Sequence, residues 1–84
     1  MISAFTLVRV APHKNVQVFE RIKKLPQVKE ATLVYGEYDV IVKTITKDIE
    51  ELNRFTYSII RKIPQITMTT TMIVARFPVH KRKP

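Results

Sequence analysis

Leu33-Val34-Tyr35-Gly36-Glu37-Tyr38-Asp39-Val40-Ile41-Val42 holds the only glycine of an 84-residue chain. The glycine sits between two runs of apolar and β-branched residues, with a tyrosine on either side of the Gly-Glu pair and an acid just beyond. A Gly-X pair in that setting suits a two-residue type II′ hairpin, whose first central residue needs φ > 0; glycine adopts that without steric cost. The stretch is therefore expected to join two antiparallel strands, Val28 to Tyr35 and Tyr38 to Thr46. Its tip also gathers backbone N–H groups, a phenol and a carboxylate, a set that suits a small zwitterion.

Working outward, Ile2 to Val10 is rich in β-branched residues and reads as a first strand. Pro12 follows, acceptable at or before the first turn of a helix. From about Lys14 to Lys24, Val18, Phe19, Ile22 and Leu25 recur at helical spacing, and Pro26 ends the run. On the other side, Asp48 with Glu51 three residues later resembles a capping box. Leu52, Phe55, Ile59 and Ile63 form the apolar stripe of this second helix, and Pro64 closes it. Ile66 to Phe77 is the last strand. Pro78 to Pro84 carries too little apolar content to fold alone.

The order β-α-β-β-α-β coincides with an internal repeat. Arg21-Ile22-Lys23-Lys24-Leu25-Pro26-Gln27-Val28 matches Ile59-Ile60-Arg61-Lys62-Ile63-Pro64-Gln65-Ile66 at an offset of 38 positions. Two such halves with right-handed crossovers interleave into a four-stranded antiparallel sheet with both helices on one face. This is an α+β, ferredoxin-like fold, with residues 1–77 as one domain and 78–84 as a basic C-terminal tail.

Fifteen Lys and Arg against seven Asp and Glu give a net charge of +8. Lys23-Lys24 and Arg61-Lys62 fall at helix ends, where cations complement the dipole, so much of the excess reads as solvated surface. No cysteine is present, which excludes disulfides and thiolate metal sites, and the two histidines, His13 and His80, lie far apart. No metal and no cofactor are expected. No apolar run spans a membrane and no leader pattern is visible, so the reading is a cytoplasmic protein.

The strand patterns carry a further consequence. A sheet with helices on one face only should be polar on the other. Here Phe5 and Leu7 oppose Ile2, Ala4, Val8 and Val10; Ile41 and Ile45 oppose Val40 and Val42; Met68, Met72 and Val74 oppose Ile73, Ala75 and Phe77. Apolar residues on both faces imply a covering partner, most economically a second copy. A sheet-to-sheet homodimer, a dimeric α/β barrel-like assembly, is the expected unit.

The element order, the Lys-Leu-Pro-Gln-Val helix exit, the Gly36-Glu37-Tyr38-Asp39 turn, Lys62-Ile63-Pro64-Gln65-Ile66 and the threonine-rich strand Thr69-Thr70-Thr71-Met72-Ile73-Val74 together resemble the Lrp/AsnC family. The likeness is to its effector-binding RAM domain and covers about residues 2–76. Strand one starts at residue 2, so the resemblance is to a stand-alone form without the family's helix-turn-helix. It implies a non-enzymatic module for regulating transcription or amino-acid metabolism. Any DNA effect would be weak or indirect, and a full-length Lrp/AsnC regulator is a possible partner. It further implies dimers that join into rings such as octamers. An amino acid or related effector would bind between dimers at Gly36, Glu37, Tyr38 and Asp39 of the turn and Thr69, Thr70 and Thr71 of the last strand. Turn N–H groups would hold a carboxylate, Asp39 an ammonium, and the threonine hydroxyls would donate and accept.

Each of these residues also has a plainer role. Gly36 serves the turn whatever else it does, Asp39 is equally a turn acceptor, and threonine is a good strand former. Tyr35 and Tyr38 read as packing or interface residues, Met68 and Met72 as core filler, His13 and His80 as solvent-facing. Two other classes compete. A small dimeric ferredoxin-like enzyme would need a cleft with paired titratable groups, and no such pair is evident. A nucleic-acid binder of the RNA-recognition type would need paired aromatics on a sheet strand, which strand four lacks, leaving only salt-sensitive contact through the basic tail.

Overall fold

Every second residue of the first strand is buried, which fixes the side of the sheet that the helices cover. The computed structural model describes residues 1–76 and Lys81. Strand β1 spans Ile2–Val10, helix α1 Asn15–Ile22, β2 Val28–Leu33, β3 Val40–Thr46, helix α2 Ile49–Arg54 and β4 Ile66–Ile73. The four strands form one antiparallel sheet in the order β2-β3-β1-β4. This is the expected ferredoxin-like arrangement. Phe77, the remainder of the tail save Lys81, and His80 lie outside the described residues.

Ala4, Thr6, Val8 and Val10 of β1 and Val40, Val42, Thr44 and Thr46 of β3 are buried beneath the helices. Val18 and Ile22 of α1, Leu52 of α2, and Phe55, Ile60 and Ile63 beyond it close over them. Leu25, Val28, Ala31 and Ile66 pack against this core from its margins. The second helical segment departs from the expected continuous helix. After Arg54 the chain continues as a π-type turn, Phe55–Ile59, and a 3-10 turn, Ile60–Lys62. The wider turn advances the buried face by one residue, so Ile60 and not Ile59 is fully enclosed. Asp48 Oδ1 accepts from Glu51 N at 2.9 Å, as the capping reading required. The reciprocal bond goes from Lys47 N to Glu51 Oε2, one residue before the cap.

The other face carries Phe5, Leu7 and Arg9 of β1, which pair across the sheet with Lys43 and Ile41 of β3 and with Met72, Thr70 and Met68 of β4. Nothing among the described residues covers this face. Met68 and Met72 are 48% and 50% exposed, so they line the open face and are not core filler. Lys43 lies in its middle, its ammonium 5.9 Å from the centre of the Phe5 ring.

The connection between β2 and β3 is longer than a two-residue turn. β2 stops at Leu33 and β3 starts at Val40, because Asp39 is drawn toward β1: its N–H donates to Val8 O at 2.8 Å. Val34 N donates to Asp39 O at 2.8 Å and closes a loop over Tyr35–Tyr38. Gly36 has φ 151°, well beyond the roughly +60° of a type II′ first position. A Cβ there would meet nothing within 4 Å, so the demand for glycine is conformational and not spatial.

Candidate functional site

The loop is held against the sheet by three side chains. Asp39 Oδ2 accepts from Val10 N at 2.8 Å and extends the β1 ladder where β3 has run out. Arg9 donates from Nε to Glu37 O at 2.8 Å and lies 5.6 Å from the centre of the Tyr38 ring. Tyr38 Oη shares a hydrogen bond of 3.1 Å with Thr70 Oγ1 on β4. The Arg9–Glu37 ion pair, at 3.5 Å between largely exposed groups, adds little by itself. The guanidinium's value is positional: it joins the loop main chain, the Tyr38 ring and β1.

Arg9 is a residue of this cluster that the motif reading missed, although a signal existed. It is the only charged residue in Ile2–Val10 and falls on the same strand face as Phe5 and Leu7. An isolated charge inside an apolar strand calls for a partner.

Four of the seven expected ligand residues, Gly36, Glu37, Tyr38 and Asp39, stand together in the loop. Among the threonines only Thr70 joins them, through Tyr38. Thr69 and Thr71 pair with Val8 and Thr6 and therefore point to the helix side of the sheet. Thr71 Oγ1 meets Thr6 Oγ1 at 3.4 Å there. The expected pocket of loop plus three threonines thus divides across the plane of β4, since strand neighbours alternate faces.

On the loop side the chemistry is that of a polar ligand. No main-chain bond among the described residues engages the N–H groups of Gly36, Glu37 or Tyr38. Glu37 presents an exposed carboxylate and Tyr35, 96% exposed, stands at the tip. On the helix side, Thr69 borders a concavity of about 140 Å³ with Arg61, Ile66, Thr67 and Met68. A larger depression of about 340 Å³ at the far end of the sheet is lined mainly by apolar residues, among them Ile2, Ile45, Ile73 and Val74. No group of three His, Cys, Asp or Glu side chains able to hold a metal exists among the described residues. No helix among them is long and apolar enough to cross a membrane.

A ferredoxin-like sheet with a polar loop at one end and an apolar face left open by the described residues defines a small α+β domain. The family model described as Lrp/AsnC ligand binding domain matches residues 3–84, and the chain belongs to that family. It is 41% identical over 73 residues to the HTH-type transcriptional regulator FL11 of Pyrococcus horikoshii, a match that covers 87% of this chain and 48% of FL11. The chain spans about half the length of the curated relatives it matches. The crystal structure of hypothetical protein PHS023 from Pyrococcus horikoshii, 43% identical, superposes with a TM-score of 0.83 over 99% of this chain and 100% of that one. Escherichia coli AsnC shares the fold at 22% identity, with a TM-score of 0.86 over 98% of this chain and 56% of AsnC.

Proposed function

We propose that the chain is a non-enzymatic effector-binding and oligomerisation module in the regulation of transcription or amino-acid metabolism, taking an amino acid or a related small zwitterion. The observation that carries this is the tethered loop. Three side chains and a glycine φ hold Gly36 to Asp39 in one arrangement that leaves free N–H donors beside an exposed carboxylate. Glu37 and the second oxygen of Asp39 accept from the ammonium, and the loop N–H groups and threonine hydroxyls take the remaining polar atoms. The relatives' role as transcriptional regulators supports the non-enzymatic reading.

The functional unit is an assembly of copies. The open face offers Phe5, Leu7, Ile41, Ile45, Met68 and Met72, and a second copy laid sheet to sheet removes them from water. Because the loop with Thr70 and the pair Thr69 and Thr71 face opposite sides of β4, one protomer does not enclose a ligand. The site is shared between copies, within a ring such as an octamer or alongside a full-length Lrp/AsnC regulator. The setting is cytoplasmic, and contact with DNA is indirect or weak.

The test is calorimetry and thermal shift with the twenty amino acids. Binding raises stability by RT ln(1 + [L]/Kd), about 2.7 kcal/mol at a hundredfold excess over Kd. One or a few amino acids shifting the melt, with the shift reduced in Glu37→Gln and Tyr38→Phe, supports the reading. No shift for any of the twenty at millimolar concentration overturns it.

A further inference from the structure

The last acidic residue of the chain is Glu51; the 33 positions after it hold seven Lys or Arg and no Asp or Glu. The end of the second helical segment and β4 therefore contribute cations and no acid of their own to the surface they build. Within that surface the concavity of about 140 Å³ between Arg61 and Thr69 brings a cation and polar strand groups together, whereas the larger depression that Arg76 and Ser3 border is otherwise lined by apolar residues. Arg61 takes part in neither ion pair found among the described residues. Its guanidinium lies 5.4 Å from the centre of the Tyr57 ring, which steadies the planar group while leaving its edge donors free.

The strand supplies the remaining donors. β4 is an edge strand, and Val74 N donates to Ser3 O at 2.8 Å, which sets the alternation of the ladder. Counting back from that bond, the main-chain groups of Thr70 and Met72 face β1, whereas those of Thr69, Thr71 and Ile73 point to the free edge. Thr69 thus brings an unpaired N–H and a hydroxyl to the concavity. Thr67 does not, because its hydroxyl already donates to Arg9 O at 3.2 Å.

We infer that Arg61, with Thr69, holds the carboxylate of the effector, in the concavity on the helix side of β4. The inference rests on the effector reading and divides the ligand: the carboxylate goes to Arg61 and Thr69, the ammonium to a Glu37–Asp39 loop presented by another copy. A guanidinium matches both oxygens of a carboxylate and carries full charge, advantages that the loop N–H groups lack.

The experiment measures, by calorimetry, the affinity of the best-binding amino acid and of its carboxamide for wild type, Arg61→Gln and Lys62→Gln. Both side chains are exposed, so each variant should melt close to wild type. The expected result is a loss of about tenfold or more for the amino acid in Arg61→Gln only, with the carboxamide binding wild type and Arg61→Gln alike. Equal affinity for the amino acid in wild type and Arg61→Gln overturns the inference and leaves the effector reading standing, with the loop N–H groups as carboxylate donors. Equal losses in Arg61→Gln and Lys62→Gln also overturn it, since the effect is then the general field. If no amino acid binds wild type, the effector reading fails, and sodium acetate against sodium chloride decides what is left. Arg61-dependent shifts of the Thr69 amide with acetate alone preserve a carboxylate site, and their absence removes it.

Discussion

A threonine and a histidine show where this chain carries avoidable cost. Thr44 is fully buried under the helices and its hydroxyl has no partner among the described residues. Valine has the same shape without the unsatisfied group, so Thr44→Val should stabilise by about 1 kcal/mol, read as a rise of roughly 4–8 °C in melting temperature. Thr46, buried beside it, differs: its hydroxyl donates to Asp48 O at 3.1 Å, and Thr46→Val should lose stability. His13 has φ 67° in a turn where Lys14 N donates to Ala11 O at 3.1 Å, with Pro12 ahead of it, the pattern of a type II turn. The left-handed conformation costs a non-glycine residue about 1–2 kcal/mol, partly offset by glycine's larger unfolded-state entropy. His13→Gly should therefore gain about 0.5–1 kcal/mol in the same melt, and a loss would show that the His13 side chain makes contacts that outweigh the strain. Asp39→Ala leaves Val10 N without its acceptor and should cost about 1–2 kcal/mol even without ligand. Asp39 is thus a poor probe of binding, because any loss of affinity is mixed with loosening of the loop.

At the scale of elements, the capping residue of α2 offers a further check. Asp48→Ala removes the bond to Glu51 N and should cost about 1 kcal/mol in chemical denaturation; an unchanged midpoint would mean that α2 is held by Leu52 and Phe55 alone. Element order, both strand faces and the cap were readable from residue pattern, since burial enforces a period of two along β1 and β3. What the pattern did not reveal is informative. A π-type turn obeys neither helical nor strand period, so Ile59 was read as core where Ile60 is. The loop length was misread because Val34 and Tyr38 look like strand residues. Only the long-range claims of β1 on Asp39, through Val8 O and Val10 N, end the β2–β3 ladder at Leu33 and Val40. The same limit applied to the site. Gly36 to Asp39 are contiguous and were found together, whereas Arg9 lies 28 positions from Glu37 and reaches it only once β1 and β3 pair.

For the whole molecule, the decisive property is the sheet face that the described residues leave bare. A chain of this size buries only about 60% of its unfolded surface and has no cysteine for a crosslink. Phe5, Leu7, Ile41, Ile45, Met68 and Met72 on that face supply the apolar area a second copy needs, with Arg9 and Lys43 the charged side chains among them. The proposed assembly would in turn bring together loop and β4 surfaces that one chain keeps on opposite sides. Leu7→Glu removes apolar area from the middle of the contact and buries a carboxylate there, with a desolvation cost that Arg9 and Lys43 nearby offset only in part. The most direct measurement is sedimentation velocity of wild type and Leu7→Glu at micromolar concentration. Wild type should sediment at a dimer or higher multiple of its 9.8 kDa mass, and Leu7→Glu as a folded species of lower order. A wild-type chain that sediments at 9.8 kDa would contradict the account, because neither the covered face nor the shared site could then exist.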